Sequence, residues 1–317
     1  MLGFSEAGNW PGATKSNAEW FPSKERAIAQ GIFGAGASLG SVVAAPFIAY
    51  LYLAFGWRMT FVGIGCIGLL WIIPWLLINK NVPSKHPWLS DKELAHIQGE
   101  QSTTELSKEP PVKTWRQLLE VRNTWGIISS RFFLDPVWWM FLTWLPTFLK
   151  DQMGFDIKQV GAFSWAPYLF AAIGGLAGGF YSSNLIKKGS GAQIARKKAI
   201  TIGCVIMLLS LIGILFFLDQ LKVQIPLSIF LIGATLFGFQ FLINNLQTLP
   251  SDFFSGKNVG SVSGMGGMSA VLGTIIITLL VPVISKTNYY SFFALAALLV
   301  PMGWICIHFL TDKKAKV

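Results

Sequence analysis

Apolar runs of 20 or more residues recur along almost the whole chain, and that recurrence limits the fold more than any other feature. About 20 apolar residues in a helix are needed to cross the ~30 Å hydrocarbon layer of a bilayer. Nine such spans are expected, at 1–20, 27–54, 57–79, 123–150, 157–187, 195–218, 224–250, 258–285 and 289–311. In lipid the backbone must satisfy its own hydrogen bonds, so the spans are helices. A barrel would show alternating ten-residue strands, and the sequence has none. The expected fold class is an all-α integral membrane bundle. Composition agrees: 53% of the residues are hydrophobic and 13% charged, against about 25% charged in soluble domains.

The formal net charge of +10 raises nucleic acid as a partner, but the bases fall in short clusters between apolar runs and form no continuous basic face. Assigned alternately to two sides, the segments between spans carry 18 lysines and arginines on one side and 5 on the other. The positive-inside rule makes the richer side cytoplasmic, together with the C-terminus. Three units are expected. Residues 1–80 hold the remainder of a first helical bundle, 81–122 a cytoplasmic linker with a surface helix around Asp91–Gln101, and 123–317 a six-helix bundle.

An internal repeat supports that division. EWFPSKERAIAQGIFGAGASLG, from Glu19, aligns with DFFSGKNVGSVSGMGGMSAVLG, from Asp252, at a constant offset of 233. Phe21/Phe254, Lys24/Lys257, Gly31/Gly264, Gly34/Gly267, Leu39/Leu272 and Gly40/Gly273 match. Two parallel six-helix repeats characterise one class of secondary transporter. Counterparts of the spans in 123–218 would precede Met1, so three opening helices are expected to be missing. The spacing of Gly31, Gly34, Gly36 and Gly40, and of Gly260, Gly264, Gly267 and Gly273, allows close helix approach in lipid.

Ionisable groups inside spans are costly and therefore point to function. Glu6 lies in the first span, as a proton-coupling acid or a buried structural one. Arg131 and Asp135, at i and i+4 in the fourth, share a face as an intramembrane ion pair that is either structural or part of transport. Lys15 is close enough to its boundary to snorkel. Gln240, Asn244, Asn245 and Gln247 cluster in the seventh span, where amides serve sugar hydroxyls or neighbouring helices. Trp138, Trp139 and Trp144 offer stacking or packing surfaces. His86, His96 and His308 are too scattered for a metal site. Cys66, Cys204 and Cys306 each lie in an apolar run with no disulfide or metal spacing. No phosphate-binding loop of the GKS or GKT kind occurs. The chain is thus read as no enzyme and as needing no cofactor beyond a coupling proton.

Two segments carry a resemblance. GFSEAGNWPGATKSNAEWFPSKERAIAQGIFGAG is similar to the fourth- and fifth-helix region of the anion:cation symporter family of the major facilitator superfamily. RFFLDPVWWMFLTWLPTFL is similar to the seventh helix of that family's hexuronate transporters, and FGWRMTF to a looser superfamily feature. The resemblance implies a twelve-helix fold, alternating access, and import of galacturonate or glucuronate with protons through the inner membrane by a monomer. It makes Glu6 the coupling acid of helix four and sets Asn244 and Asn245 beside the substrate. The family's arginine ahead of that acid, and its helix-one cation, would precede Met1. In GGFYSSNLIKKG, Ser183 stands where the family has an acid, while Lys188 matches its cation, so the relay at this gate is expected to be weakened. Other organic anions, such as aldonates or aldarates, remain open as substrates, as does a non-transporting membrane scaffold or sensor.

Overall fold

The computed structural model describes residues 8–22, 24–78, 83–99, 114–221, 224–254, 257–284 and 289–311, which form helices and no strand. In chain order these are α1 (Asn9–Trp20), α2 (Arg26–Leu70), α3 (Ile72–Ile78), α4 (Asp91–Gly99), α5 (Trp115–Leu119), α6 (Arg122–Met153) and α7 (Ile157–Phe163). There follow α8 (Trp165–Lys187), α9 (Ala192–Phe216), α10 (Leu218–Leu221), α11 (Ile225–Phe253), α12 (Lys257–Ile284) and α13 (Tyr289–Leu310). Glu6 lies outside the described residues.

Seven of the described helical segments have the length and apolarity of a membrane span, against nine expected. The difference arises at two places. α1 is described only from Asn9. The expected spans 27–54 and 57–79 run together, their joint marked by Gly56 alone (φ 75°, ψ 171°), a backbone conformation open to glycine. Elsewhere the expected boundaries hold within a few residues, and the surface helix appears as α4, started by Ser90 and Glu93. There the Glu93 carboxylate accepts from the Ser90 amide (2.9 Å) and hydroxyl (2.7 Å), which holds Glu93 below the usual carboxylate pKa.

One contiguous core fills the space among α6, α9, α11, α12 and α13, with Phe141, Phe253, Phe293, Leu134 and Met207 among its fully buried side chains. α6 runs unbroken through Pro136 and Pro146, so the proline after Asp135 does not end it. The arm 57–78 behaves differently. Thr60 is its one buried residue, and Phe61, Leu69, Trp71 and Leu76 are all exposed. A helix apolar on every side suits lipid, not water.

The repeat seen in sequence is present in the fold. α1 ends at Trp20 and α11 at Phe253, 233 residues later. The capping residues Phe21 (φ −125°, ψ 138°) and Phe254 (φ −125°, ψ 163°) have the same extended conformation, and each amide donates to the carbonyl four residues back. α1 packs on α12 while α11 packs on α2, contacts that exchange when each element is replaced by its partner in the repeat.

Close packing rests on α8. Its sequence AAIGGLAGGF sets two adjacent glycine pairs one turn apart. Gly174 and Gly178 face α11, where a β-carbon would run into the backbone of Phe237 or Phe241. Gly175 and Gly179 face α2, and a β-carbon on the opposing Gly31 would stand 2.8 Å from the Gly175 carbonyl oxygen. Of the stripes expected from sequence, Gly31, Gly34, Gly267 and Gly273 meet neighbours, whereas Gly36, Gly40, Gly260 and Gly264 face open space.

Candidate functional site

Where α1, α6, α11 and α12 converge, Trp10, Thr14, Arg131, Gln247 and Ser263 line a small cavity with Ile127, Leu246 and Pro250. Its free space of about 10 Å³ is near the minimum for one water molecule. Thr14 and Gln247 are themselves 233 residues apart, so the cavity lies between equivalent positions of the repeat.

Arg131 is the charged member of this lining. Its Nη2 donates to Asp135 Oδ2 at 2.6 Å and its Nε to the same oxygen at 3.2 Å. Both side chains are about nine-tenths buried. The other guanidinium donors have no acceptor among the described residues, and Asp135 Oδ1 is buried without a hydrogen-bond partner. Glycine makes room for the arginine, since a β-carbon at Gly266 would come within 3.1 Å of Arg131 Cδ. The arrangement is a buried cation half-used by its counter-ion, with spare planar N–H donors beside a cavity. A carboxylate is the ligand that such a fork fits.

The amides divide. Gln247 Oε1 accepts from Gln30 (2.8 Å), whose own carbonyl oxygen accepts from Asn17 (2.7 Å), a chain joining α1, α2 and α11. With its oxygen engaged, Gln247 keeps its NH₂ for the cavity. Asn244 is wedged between Gly34 and Gly175 at the crossing of α2, α8 and α11, and donates to the Gln240 carbonyl (3.1 Å). Asn245 donates to the carbonyls of Gly178 (3.1 Å) and Phe241 (3.0 Å), tying α11 to α8. Gln240 is buried with Oε1 unpartnered. Trp138 stacks on Phe239 (5.4 Å between centroids) and meets Tyr168 edge-on, whereas Trp139 is 45% exposed. Trp144 packs against the core, and Lys15 reaches Glu19 at 3.6 Å near the end of α1. Of the residues singled out in sequence, the structure therefore brings together Arg131, Asp135 and Gln247. It sets Asn244 and Asn245 in helix joints, and Gln240, Trp138 and Trp139 do not line the cavity.

Two clusters went unrecognised in the sequence. In sequence Arg26 is one of the 18 basic residues between spans on the richer side. Its Nη2 donates to the Ala18 carbonyl (3.0 Å), its Nε to Phe21 (3.1 Å) and its Nη1 to Ser251 (3.1 Å), so one guanidinium caps the ends of both α1 and α11. Arg196, fully buried, donates from Nε to Asp252 Oδ2 (3.0 Å) and from Nη1 to Ser182 Oγ (3.2 Å), joining α9, α11 and α8. Ser183, at the position where the resembled motif carries an acid, is buried with its hydroxyl unpartnered. Ser182 takes the arginine instead. Both clusters lie at the end of the bundle that also carries Lys187, Lys188, Lys197 and Lys198, the basic end. The 83–99 segment meets that end too, through His86 edge-on to Trp20 (5.3 Å between centroids) and His96 Nε2 3.3 Å from Glu25. No ranking of the sequence would have found Arg196 and Asp252, because their 56-residue separation has no local signature.

Similarity to known proteins places the chain in a family. The chain is 32% identical over 321 residues to the hexuronate transporter of Escherichia coli (strain K12), an alignment covering 100% of this chain and 72% of that protein. It is 33% identical over 216 residues to the galacturonate transporter of Dickeya chrysanthemi, covering 65% and 60%. A crystal structure of a bacterial homologue of the iron transporter ferroportin superposes with a TM-score of 0.52 over 98% of this chain and 88% of that one. At 13% identity this likeness bears on the fold alone. Residues 1–278 match the Major Facilitator Superfamily. The chain belongs to that superfamily and is a multi-pass membrane transporter protein, not an enzyme.

Proposed function

We propose that this chain carries a hexuronate or closely related sugar-acid monoanion through the bacterial inner membrane together with protons, by alternating access. The observation that carries this reading is Arg131, a buried guanidinium with donors left over, beside a cavity flanked by repeat-related helices. A sugar acid needs a carboxylate partner and hydroxyl partners. Arg131 suits the first, and the Gln247 amide, Thr14 and Ser263 suit the second. Trp10 supplies an aromatic face. A dianion would ask for a second cation, and among the described lining residues Arg131 is the one cation. That favours hexuronates over aldarates.

The cavity is far too small for a sugar, so α1 and α2 must part from α11 and α12 for substrate to enter. The contacts that resist parting are the Arg26 latch and the Asn17–Gln30–Gln247 chain. Excess positive charge supports a cytoplasmic position for the basic end, with residues 81–122 proposed as the tether between bundles. Glu6, four residues before Trp10 and eight before Thr14, is proposed as the coupling acid. One proton with one monoanion moves no net charge, whereas each further proton adds about 2.3 kcal/mol per 100 mV of membrane potential.

Proteoliposomes containing the chain, given labelled glucuronate and an inward pH gradient, test the proposal. Uptake that saturates, collapses with a protonophore and yields to galacturonate before galactarate supports it. Uptake indifferent to the protonophore would refute coupling, and an absence of saturable uptake would refute transport by this chain.

A further inference from the structure

A second basic site lies on the outer surface of the bundle, away from the cavity beside Arg131. At the basic end, where α8, α9 and α13 meet, Lys197, Lys198, Thr201 and His308 line an open pocket of about 330 Å³, walled by Tyr181 and Ile202. Below it the outer faces are apolar and exposed: Val205, Leu209 and Phe216 on α9, Ile305 on α13. In a membrane span those faces meet lipid tails. The pocket is therefore open to lipid along one side and capped by cations at the boundary.

Its polar floor is fixed. Trp304 stacks on His308 (4.5 Å between centroids) and donates its indole N–H to Thr201 Oγ1 (3.0 Å). His308 Nε2 lies 3.2 Å from the same hydroxyl, while Nδ1 faces the Trp304 carbonyl at 3.0 Å. Thr201 in turn donates to the Lys197 carbonyl (2.9 Å), and Lys197 Nζ is anchored on the carbonyl of Thr311 (2.9 Å). Two helices, α9 and α13, thus hold hydroxyl, imidazole and ammonium groups together, next to tail-facing side chains.

We propose that this pocket binds the headgroup of an acidic phospholipid, its phosphate between Lys197 and Lys198 and an acyl chain along Val205 and Leu209. Basic pockets between membrane helices at the cytoplasmic side take anionic headgroups. A zwitterionic lipid would bring its own cation against two lysines. A soluble phosphate ester would meet the lysines and leave the apolar walls unused. The site is independent of the sugar-acid reading, because it shares no residue with the cavity.

Native mass spectrometry of the full chain in detergent, titrated separately with phosphatidylglycerol, phosphatidylcholine of the same acyl length and glycerol 3-phosphate, tests it. Phosphatidylglycerol adducts are expected at the lowest concentration. Lys198→Glu should weaken them at least fivefold, the value of about one surface lysine, whereas Lys150→Glu at the opposite end should not. Ile202→Trp, which fills the pocket without touching charge, should weaken both lipids. Equal retention of the two lipids, indifference to both pocket variants, or displacement of phosphatidylglycerol by equimolar glycerol 3-phosphate would overturn the assignment.

Discussion

Ala18 and Ser251, 233 residues apart, present their backbone carbonyls to a single guanidinium, that of Arg26. They are equivalent positions of the repeat, each two residues before the last of its helix. Helix C-termini carry partial negative charge and unsatisfied carbonyls, so one cation between two of them ties the two ends together. The same offset relates Thr14 to Gln247 in the cavity lining and Phe21 to Phe254 at the helix caps. The equivalence is thus not confined to sequence letters; it organises the contact between the halves.

Arg26→Gln should loosen this latch. Charge-assisted hydrogen bonds contribute about 1.5–3 kcal/mol each, so loss of the cation favours the state open at the basic end. In a background with Cys66, Cys204 and Cys306 replaced, Thr14→Cys should label several-fold faster with a membrane-impermeant thiol reagent applied from that end when Arg26→Gln is added. Unchanged labelling would mean that Arg26 is no latch.

The glycine pairs of α8 allow a comparison within one protein. Gly178→Ala sets a methyl against the Phe241 backbone, which cannot yield as a side-chain tip would. Overpacking of this kind costs about 1–3 kcal/mol. Gly36→Ala and Gly40→Ala, in the stripe read from sequence, meet nothing. Thermal unfolding in detergent should show a clear loss for the first variant and little change for the other two. An equal fall for all three would argue that glycine content, not close approach, is what matters.

What could be read beforehand follows a physical division. Spans, their ends and the repeat depend on local apolarity and turn chemistry, so Gly56, Trp20 and Phe253 were within reach of the sequence. Arg131 and Asp135 were legible as a pair because i,i+4 spacing on a helix is itself a contact. The amides could not be sorted for the opposite reason. Gln240, Asn244 and Gln247 share a helical face, but which part of that face meets a cavity depends on neighbours. Gly34 and Gly175 enclose Asn244, while Gln30 meets Gln247. Arg26 and Arg196, both among the 18 basic residues of the richer side, carry no sequence sign beyond that topological one. Their partners, Ser251 and Asp252, are separated from them by 225 and 56 residues.

The Arg196–Asp252 pair should behave as a buried ion pair does. Removing one partner strands the other, at about 3–5 kcal/mol, so Asp252→Ala and Arg196→Ala should each sharply lower the unfolding temperature. Arg196→Met combined with Asp252→Leu removes both charges and should recover most of the loss. If the double replacement proves no better than the singles, the pair is not the source of the stability.

Arg131 and Asp135 make the last prediction, because their geometry gives opposite outcomes for two neutralising changes. Asp135 Oδ2 holds two of the guanidinium's donors. A substrate carboxylate must therefore share Arg131 with Asp135 or displace it. In Asp135→Asn the guanidinium loses its counter-ion, so the protein is less stable alone but gains more from an added anion. An affinity increase of about tenfold corresponds to about 1.4 kcal/mol. Glucuronate should accordingly raise the unfolding temperature of Asp135→Asn more than that of the unaltered chain. Arg131→Gln should show no glucuronate-dependent rise, and Arg131→Lys only a small one, since an ammonium cannot reproduce the planar fork. Equal stabilisation of all four proteins by glucuronate would place the anion elsewhere and leave Arg131 and Asp135 a structural pair.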